Sequence, residues 1–403
     1  MGFLDPLTAV VVSFCFLGVM IYRRVNLGIT LNSTALLLAL LSISWLEIPT
    51  IIYDTSIDLS TVSVVFASFG IMVLSQLYKE TKVIDDLSRS LSRIIRNSKL
   101  LVSILPAIIG LLPVAGGALM SAPLVEAETE KLGLKAEKKT YINIWFRHTI
   151  FPVYPISQVL ILTASLTGST LMPIIIRQIP IVISMIIAGY LIGLWKTKPT
   201  GQREENQKTN LSSELKRFTI TFFPILATII VVVGLGVDVS IAAFLGVSVL
   251  LVIARPSFEV FQKPFRNWAT YGIPFAAYGA FLLSNIVKAS GIPEIFGAFV
   301  ANGSVDNLLL LIVIPAVLAF LVGSPLGGVA IGYSIMEGIV NFTAESAALL
   351  YISSYLGYII APTHLCLVLT ADYFKCSLGK LYKYLIPSLA ISLTTAILLY
   401  VLV

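Results

Sequence analysis

Apolar runs close to the length of a membrane span follow one another along almost the whole chain. A transmembrane helix needs ~20 predominantly apolar residues. On that measure, the predicted spans are 6–22, 30–46, 59–78, 141–165, 171–195, 218–236, 239–254, 269–288, 347–371 and 383–403. Of the 403 residues, 57% are hydrophobic and only 12% are charged, whereas a soluble domain carries roughly 25% charged residues. The sequence therefore predicts an all-α polytopic protein of the lipid bilayer.

Two further apolar runs, 99–125 and 307–340, do not fit a simple span. Each is too long for one crossing and too short for two, and each holds proline and paired glycines in its middle. Irregular backbone at membrane depth is tolerated only where it is packed in protein or lines a cavity. Both runs are therefore predicted to be re-entrant hairpins, which we call hairpin one and hairpin two.

The two halves of the chain resemble each other at an offset of 207 to 211 residues. The matched positions include Pro106 and Pro315, Gly116-Gly117 and Gly327-Gly328, Glu126 and Glu337, Pro155 and Pro362, and Pro180 and Pro387. Apolar segments broken by glycine and proline at corresponding places in two halves mark the binding site of many secondary transporters. The repeat therefore points to the two hairpins and to the prolines that follow them.

The basic residues predict the orientation of the two halves. Of the 27 Lys and Arg residues, 24 fall in alternate loops, at 23–29, 79–99, 131–139, 196–217, 255–266 and 375–383. The intervening loops, such as 47–58, hold none. Basic loops face the cytoplasm, so both termini are predicted to be extracytoplasmic, in the plasma membrane. The halves become inverted repeats, each of five transmembrane helices plus one re-entrant hairpin.

This topology predicts a division of the chain into five regions. The first half has a scaffold region at 1–97 and a transport region at 98–195, which contains hairpin one and a broken helix. A polar cytoplasmic linker covers 196–217. The second half has a scaffold region at 218–303 and a transport region at 304–403, which contains hairpin two and its broken helix.

An amphipathic segment precedes hairpin one. Apolar Ile84, Leu87 and Leu91 recur at helical spacing against Arg89 and Arg93. The pattern predicts a helix lying in the inner membrane interface, with a counterpart near 293–301 in the outer one. A solvated loop helix is an equally good interpretation of the pattern.

The hairpin tips supply the first group of candidate binding residues, which are Ala115, Gly116, Gly117, Gly323, Ser324, Gly327 and Gly328. Glycine allows a ligand to approach the backbone closely. Helix amino termini favour anions, and unwound carbonyls suit Na⁺. Close helix packing through small residues is the alternative explanation, but matched positions in two halves favour a site.

The predicted helix breaks supply the second group, which is Tyr154, Ser157, Gln158, Thr363 and His364. Proline removes a backbone donor and clashes with the preceding turn, so Pro155 and Pro362 should interrupt their helices. Polar groups at mid-membrane are costly unless they are used. His364 is able to carry a coupling proton. A structural histidine and a satisfied kink remain alternatives.

Four charged residues near these segments remain open. Arg147 is placed to meet an anionic substrate, but we expect it to snorkel to the interface; Arg177 is similarly ambiguous. Glu126 and Glu337 lie nine residues beyond their paired glycines. That separation is about 13 Å of helix, so both are expected at the surface ends of the hairpins.

The sequence holds no recognisable enzyme signature. It contains no His-Glu-x-x-His motif and no phosphate-binding loop, and its three cysteines lack disulfide or zinc spacing. We therefore predict no enzymatic activity and no cofactor, with Na⁺ or H⁺ as a possible coupling ion. The basic balance, with a net charge of +6, is explained by membrane orientation rather than by nucleic acid.

The hairpins and broken helices resemble those of the ion transporter superfamily, and within it a prokaryotic family related to gluconate permeases. The segments that carry the resemblance are Ser324-Pro325-Leu326-Gly327-Gly328, Ala361-Pro362-Thr363-His364-Leu365 and Thr370-Ala371-Asp372-Tyr373-Phe374. The resemblance implies a homodimer that works by an elevator mechanism. The dicarboxylate carriers of that superfamily place Ser-Asn-Thr at both tips, where this chain has Ala115-Gly116-Gly117 and Pro325-Leu326-Gly327. Carboxylate specificity and Na⁺ coupling therefore stay open.

The leading functional hypothesis is an ion-coupled secondary active transporter for a small organic anion, a sugar acid or another carboxylate, with elevator alternating access. The alternative is a channel or exporter for an inorganic oxyanion or metalloid. An intramembrane enzyme is disfavoured because no convergent catalytic pair is visible in the sequence.

Overall fold

The computed structural model describes residues 3–112, 117–197, 210–291 and 306–402, and within them the regular structure is helical, with no strand. In the first half the helices are α1 (Pro6–Tyr22), α2 (Leu27–Ser42), α3 (Ile48–Ile57), α4 (Leu59–Glu80), α5 (Val83–Ile94), α6 (Ser98–Gly110), α7 (Ala118–Lys131), α8 (Ala136–Thr149), α9 (Gln158–Leu166) and α10 (Leu171–Gly189). In the second half they are α11 (Leu211–Leu235), α12 (Val239–Ala254), α13 (Phe258–Arg266), α14 (Ala269–Ala289), α15 (Asn307–Val322), α16 (Pro325–Met336), α17 (Ala344–Ile359), α18 (Leu365–Tyr373) and α19 (Leu378–Leu402). The all-α prediction is confirmed.

The chain is a multi-pass membrane protein by the length and composition of its helices. Six helical stretches of the described residues are long and apolar enough to cross a membrane. Helix α19 buries only 22% of its apolar window within the protein, as expected for a helix that faces lipid. The predicted spans 6–22 and 239–254 coincide with α1 and α12, which are 17 and 16 residues long.

Two segments predicted as loops are helices. The outer loop 47–58 holds α3, which begins with a proline in its first turn, and the inner loop 255–266 holds α13. The Ser257 hydroxyl caps α13, and Phe258, Phe261 and Phe265 recur at helical spacing along it. Each helix is shorter than a membrane span, so a prediction based on the length of apolar runs assigned both segments to loops.

Both predicted hairpins are pairs of packed helices. Hairpin two consists of α15 and α16, and the turn between them holds Gly323 with a positive φ of 68° and Ser324 as the cap of α16. Hairpin one consists of α6 and α7, and α7 runs on to Lys131. Glu126 therefore lies inside the second arm of hairpin one, so the expectation that it marks the end of that hairpin is wrong.

The helices after both hairpins are interrupted as the prolines predict. Helix α8 ends at Thr149, a single 3-10 turn spans Phe151–Val153, and α9 begins at Gln158. In the second half α17 ends at Ile359 and α18 begins at Leu365. Between these helix ends the backbone makes turn hydrogen bonds, among them Ser157 N to the Tyr154 carbonyl and His364 N to the Ala361 carbonyl. The α-helical pattern is interrupted, which leaves some carbonyl and amide groups for other partners.

The amphipathic segment forms α5. Val83, Ile84, Leu87 and Leu91 on its apolar face are buried, and the helix packs against α11 and α6. Because protein covers that face, a fully solvated helix is excluded. Its location in the membrane interface stays a prediction, and the predicted counterpart near 293–301 lies outside the described residues.

The chain forms two compact units. Unit one comprises Met1–Phe69, Gln158–Ile174 and Trp268–Tyr358, and unit two comprises Gly70–Ser157, Ile175–Asn267 and Ile359–Val403. Each unit therefore draws on both halves of the chain and contains one hairpin. The predicted scaffold and transport regions concern which segments move, and they stay a prediction.

The two units contain the same helix pairings, but a helix from the first half of the chain in one unit is replaced by its counterpart from the second half in the other. In unit two α4 meets α12, where a Cβ added to Gly70 would lie 2.9 Å from that of Ala243. In unit one α14 meets α2, where a Cβ added to Gly279 would lie 2.9 Å from that of Leu31. Likewise α7 packs on α18 in unit two, and α16 packs on α9 in unit one. The repeat in the sequence is thus also a repeat in packing.

Candidate functional site

In unit two, an arginine of α8 holds the described edge of the tip of hairpin one. Gly117 caps the amino terminus of α7, and its carbonyl accepts a hydrogen bond from Arg147 Nη1 at 3.2 Å. Arg147 is only 5% exposed. The candidate residues Ala115 and Gly116 lie outside the described residues.

The burial of Arg147 has a steric cause. A Cβ on Gly110 would overlap the Arg147 carbonyl and lie 3.1 Å from Arg147 Cγ. The backbone of α6 therefore lies directly on the stem of the arginine side chain, which only a glycine at this position allows. The expectation that Arg147 snorkels to the interface is wrong.

Asn143 fixes the same helix one turn earlier. Its Nδ2 donates to the Ala118 carbonyl at 3.0 Å and to Thr370 Oγ1 at 3.4 Å, and its Oδ1 accepts from Ser121 Oγ at 2.6 Å. Asn143 is buried, and both its nitrogen and its oxygen bind residues of α7 and α18. It holds the second arm of hairpin one in place and has little capacity left for a ligand.

In unit one, a serine of α17 holds the tip of hairpin two. Ser354 Oγ donates to the Pro325 carbonyl at 2.7 Å. A Cβ on Gly328 would overlap Ser354 Oγ and lie 2.8 Å from the Pro315 carbonyl. Ser324 Oγ accepts from Gly327 N at 3.5 Å. Close packing of three helices is thus sufficient to require glycine at 328. A ligand-binding role stays a prediction for the four candidate residues of this tip, Gly323, Ser324, Gly327 and Gly328.

These two contacts occupy similar places in the two units. Ser354 is the counterpart of Arg147 at an offset of 207 residues, whereas Pro325 lies three residues before Gly328, the counterpart of Gly117. In each unit, a side chain of the helix before the break donates to a backbone carbonyl at the start of the second hairpin arm. The contact carries a charge in unit two and is neutral in unit one, so the two tips are chemically different.

The break after α8 contains buried polar groups in unit two. Tyr154 and Ser157 are both buried, and Ser157 Oγ makes no hydrogen bond with the described residues. A buried hydroxyl without a partner costs about 1–3 kcal/mol, so a ligand group that bonded to this oxygen would recover that cost. Gln158, the next residue, belongs to unit one and donates from Nε2 to the Ser68 carbonyl at 3.3 Å.

The two candidate residues in the break after α17 differ in burial. His364 is buried, with Nδ1 3.3 Å from the Ile359 carbonyl, and its ring meets that of His148 edge to face with centroids 4.9 Å apart. Thr363 is exposed. Unit two therefore brings together two histidines, which are the only histidines of the chain.

Glu337 lies in a polar cluster of unit one. Its carboxylate accepts hydrogen bonds from Ser284 Oγ at 2.7 Å and Tyr333 Oη at 2.9 Å, and Lys288 Nζ lies 2.7 Å away. Glu337 caps the end of α16, as expected, but its side chain is only 10% exposed. Its position at the surface of the membrane stays a prediction, and neighbouring protein covers its side chain. Its counterpart Glu126 accepts one exposed hydrogen bond, from Tyr373 Oη at 2.8 Å.

A cleft of about 480 Å³ opens elsewhere in unit two, between α5, α11 and α12. Asp86 and Arg217 line it and already form an ion pair at 2.6 Å. It contains none of the predicted binding residues. The described residues also include no group of three His, Cys, Asp or Glu side chains placed to hold a metal ion.

Sequence reasoning missed Ser354 and the partners of Asn143. Extending the repeat to the helices before the breaks pairs Arg147 with Ser354 at an offset of 207 residues, and this signal would have found the serine. No local signal marks Asn143, because its partners Ser121 and Thr370 are distant in sequence.

Comparison with known proteins places the chain in a family. No curated protein matches it at a significant level of sequence similarity. A family model described as "Protein of unknown function (DUF401)" matches residues 7–403, which is nearly the full length. The chain belongs to the DUF401 family.

Proposed function

We propose that the protein is an ion-coupled secondary transporter of a small organic anion, either a sugar acid or another carboxylate. The observation that carries the proposal is a similar contact in each unit between the start of the second hairpin arm and α8 or α17, made by the counterpart residues Arg147 and Ser354. Transporters commonly build their binding sites from interrupted membrane helices, and each of these contacts joins a hairpin to the helix that precedes such an interruption.

The exchanged helix pairings support a structural repeat of the two halves, and the alternation of basic loops favours an inverted one. An inverted repeat places each element of the first half in the environment that its counterpart has in the second. The pairings of α7 with α18 and of α16 with α9 follow this rule. Together with the alternation of basic loops, they favour hairpins that enter from opposite sides and a mechanism of alternating access. The resemblance to the ion transporter superfamily adds the elevator mechanism and the homodimer to the proposal.

Anionic cargo is favoured by the charge at hairpin one. Arg147 is buried, and a buried cation is costly unless a negative charge meets it. The start of α7 lies at the same place, and helix amino termini attract negative charge. Ser157 Oγ offers a further polar group in the break of the same unit. Na⁺ and H⁺ both stay open as the coupling ion.

The proposal is tested first by ligand binding. Purified protein is heated with gluconate, lactate, citrate, sulfate or phosphate, with and without Na⁺ and at two pH values. A ligand that binds the folded state raises its thermal stability, so we expect a rise with at least one organic acid. A rise that needs Na⁺, or one that depends on pH, identifies the coupling ion.

Uptake into proteoliposomes then tests transport itself. We expect labelled organic acid to accumulate above its outside concentration under an imposed ion gradient, and accumulation to stop when ionophores collapse that gradient. Flux that follows the gradient of the solute alone after ionophore treatment would instead support a channel. Absence of binding and of flux for every organic acid tested would refute the proposal.

A further inference from the structure

We propose that Arg147 binds the anionic group of the substrate, and that its hydrogen bond to Gly117 is the interaction it makes when no substrate is present. This inference rests on the proposed function and names the chemistry of its site. It gives Arg147 a binding role that the sequence left undecided.

The first argument is charge balance. Arg147 is 5% exposed, and no carboxylate in the described residues of unit two lies within the 4.0 Å that defines an ion pair. By contrast, Arg93 and Arg217, also in unit two, each meet a carboxylate at 2.6 Å. The carboxyl end of α8 supplies partial negative charge near Arg147. A full negative charge is still missing, and a substrate anion supplies it.

The second argument is unused hydrogen-bonding capacity. A guanidinium carries five N–H donors in a rigid fork. The described residues take up one atom of that fork, Nη1, through the Gly117 carbonyl. Asn143, one turn away on the same helix face, already uses Nδ2 on Ala118 and Thr370 and Oδ1 on Ser121. Arg147 is therefore the polar group of this face that retains capacity for a ligand.

The third argument is preorganisation. The α6 backbone at Gly110 packs against the stem of Arg147 at Cγ, and the Gly117 carbonyl holds Nη1, so part of the side-chain freedom is already lost before binding. A fork held in this way matches the two oxygens of a carboxylate. Lysine cannot reproduce that geometry, because its ammonium is a point charge. The site is thus suited to a carboxylate bound through two parallel hydrogen bonds.

Substrate binding then has a structural consequence. The Gly117 carbonyl occupies Nη1, and an anion bound at the remaining donors competes with it for the same positive charge. An arriving carboxylate therefore weakens the hydrogen bond that holds the tip of hairpin one. The contact of hairpin two, from the neutral Ser354 to Pro325, carries no such competition. Loading is therefore expected to loosen hairpin one and to leave hairpin two in place.

The test compares Arg147→Gln and Arg147→Lys with the wild-type protein and with Arg266→Gln. Arg266 is exposed and bonds to Gln262, so its variant removes a charge away from the site. Affinity for gluconate, lactate, citrate, sulfate and phosphate is measured from thermal shifts, and uptake of the best-binding anion is measured in proteoliposomes. We expect R147Q to weaken binding by about 30-fold or more, because truncating one partner of a buried charge pair has an effect of that size. R147K should lie between R147Q and wild type, and R266Q should match wild type.

Each outcome bears on one proposal. A wild-type protein that neither binds nor transports any anion refutes the proposed function. A wild-type protein that transports a carboxylate, with R147Q showing unchanged affinity, refutes the role of Arg147 alone. Preferential binding of sulfate or phosphate overturns the assignment to a carboxylate. If neither Arg147 variant folds, wild-type protein is titrated with gluconate and with its neutral amide; equal affinity for the two contradicts the inference.

Discussion

Replacing Glu337 with alanine removes the acceptor on which two buried hydroxyls depend. Ser284 Oγ and Tyr333 Oη donate to the carboxylate at 2.7 and 2.9 Å. Hydrogen bonds to a charged group contribute about 1.5–3 kcal/mol each, so their loss amounts to about 3–6 kcal/mol. The ion pair with Lys288 adds little, because the lysine side chain is 54% exposed and pairs of this kind contribute about 0–1 kcal/mol.

The prediction is an order of stabilities. Unfolding free energies are measured by titrating the protein with SDS in mixed micelles. We expect the largest loss for Glu337→Ala, a smaller loss for Glu337→Gln, which keeps one acceptor oxygen, and about 1 kcal/mol or less for Lys288→Met.

The matched control is Glu126→Ala. Glu126 is the counterpart of Glu337 in the repeat but accepts a single exposed hydrogen bond, from Tyr373, so its loss should cost less than about 1 kcal/mol. If Lys288→Met destabilised the protein as much as Glu337→Ala, the ion pair would be the dominant interaction. The reasoning from buried hydroxyls would then be refuted.

Two further predictions follow from glycine packing and from membrane topology. A Cβ on Gly357 would overlap the Ala316 backbone, whereas one on Gly379 meets nothing within 4 Å. In thermal unfolding we therefore expect Gly357→Ala to be clearly destabilised and Gly379→Ala to unfold close to wild type. Equal unfolding midpoints for the two variants would contradict the packing argument. In a background without Cys15, Cys366 and Cys376, an impermeant thiol reagent should label a cysteine at Lys131 from the cytoplasmic side and one at Asn341 from the outside. Labelling of both from the same side would rule out inverted hairpins.

Local patterns predicted most of the helical framework. The interruptions near Pro155 and Pro362 were predictable because proline lacks a backbone N–H donor, which is a property of the residue itself. Hairpin two was predicted as 307–340 because paired glycines and a proline divide an apolar run, and α15 and α16 occupy that range. Features that depend on one or two neighbouring residues were therefore accessible from the sequence.

Features that depend on distant contacts were not accessible. Arg147 was expected to snorkel, as a lone arginine near a helix end commonly does. Its burial follows from the approach of α6 at Gly110, which no local pattern reveals. Glu337 was expected at the surface, and it is buried because Ser284 and Lys288 of α14 meet it there. In both cases tertiary packing set the environment of the charge.

The central claim, transport of an organic anion by alternating access, is tested most directly by counterflow. Proteoliposomes are loaded with an excess of the unlabelled organic acid that binds best, and a trace of labelled acid is added outside without any ion gradient. A carrier exchanges one molecule for another, so the label should rise transiently above its outside concentration in loaded vesicles and not in empty ones. Identical time courses in loaded and empty vesicles would contradict the account.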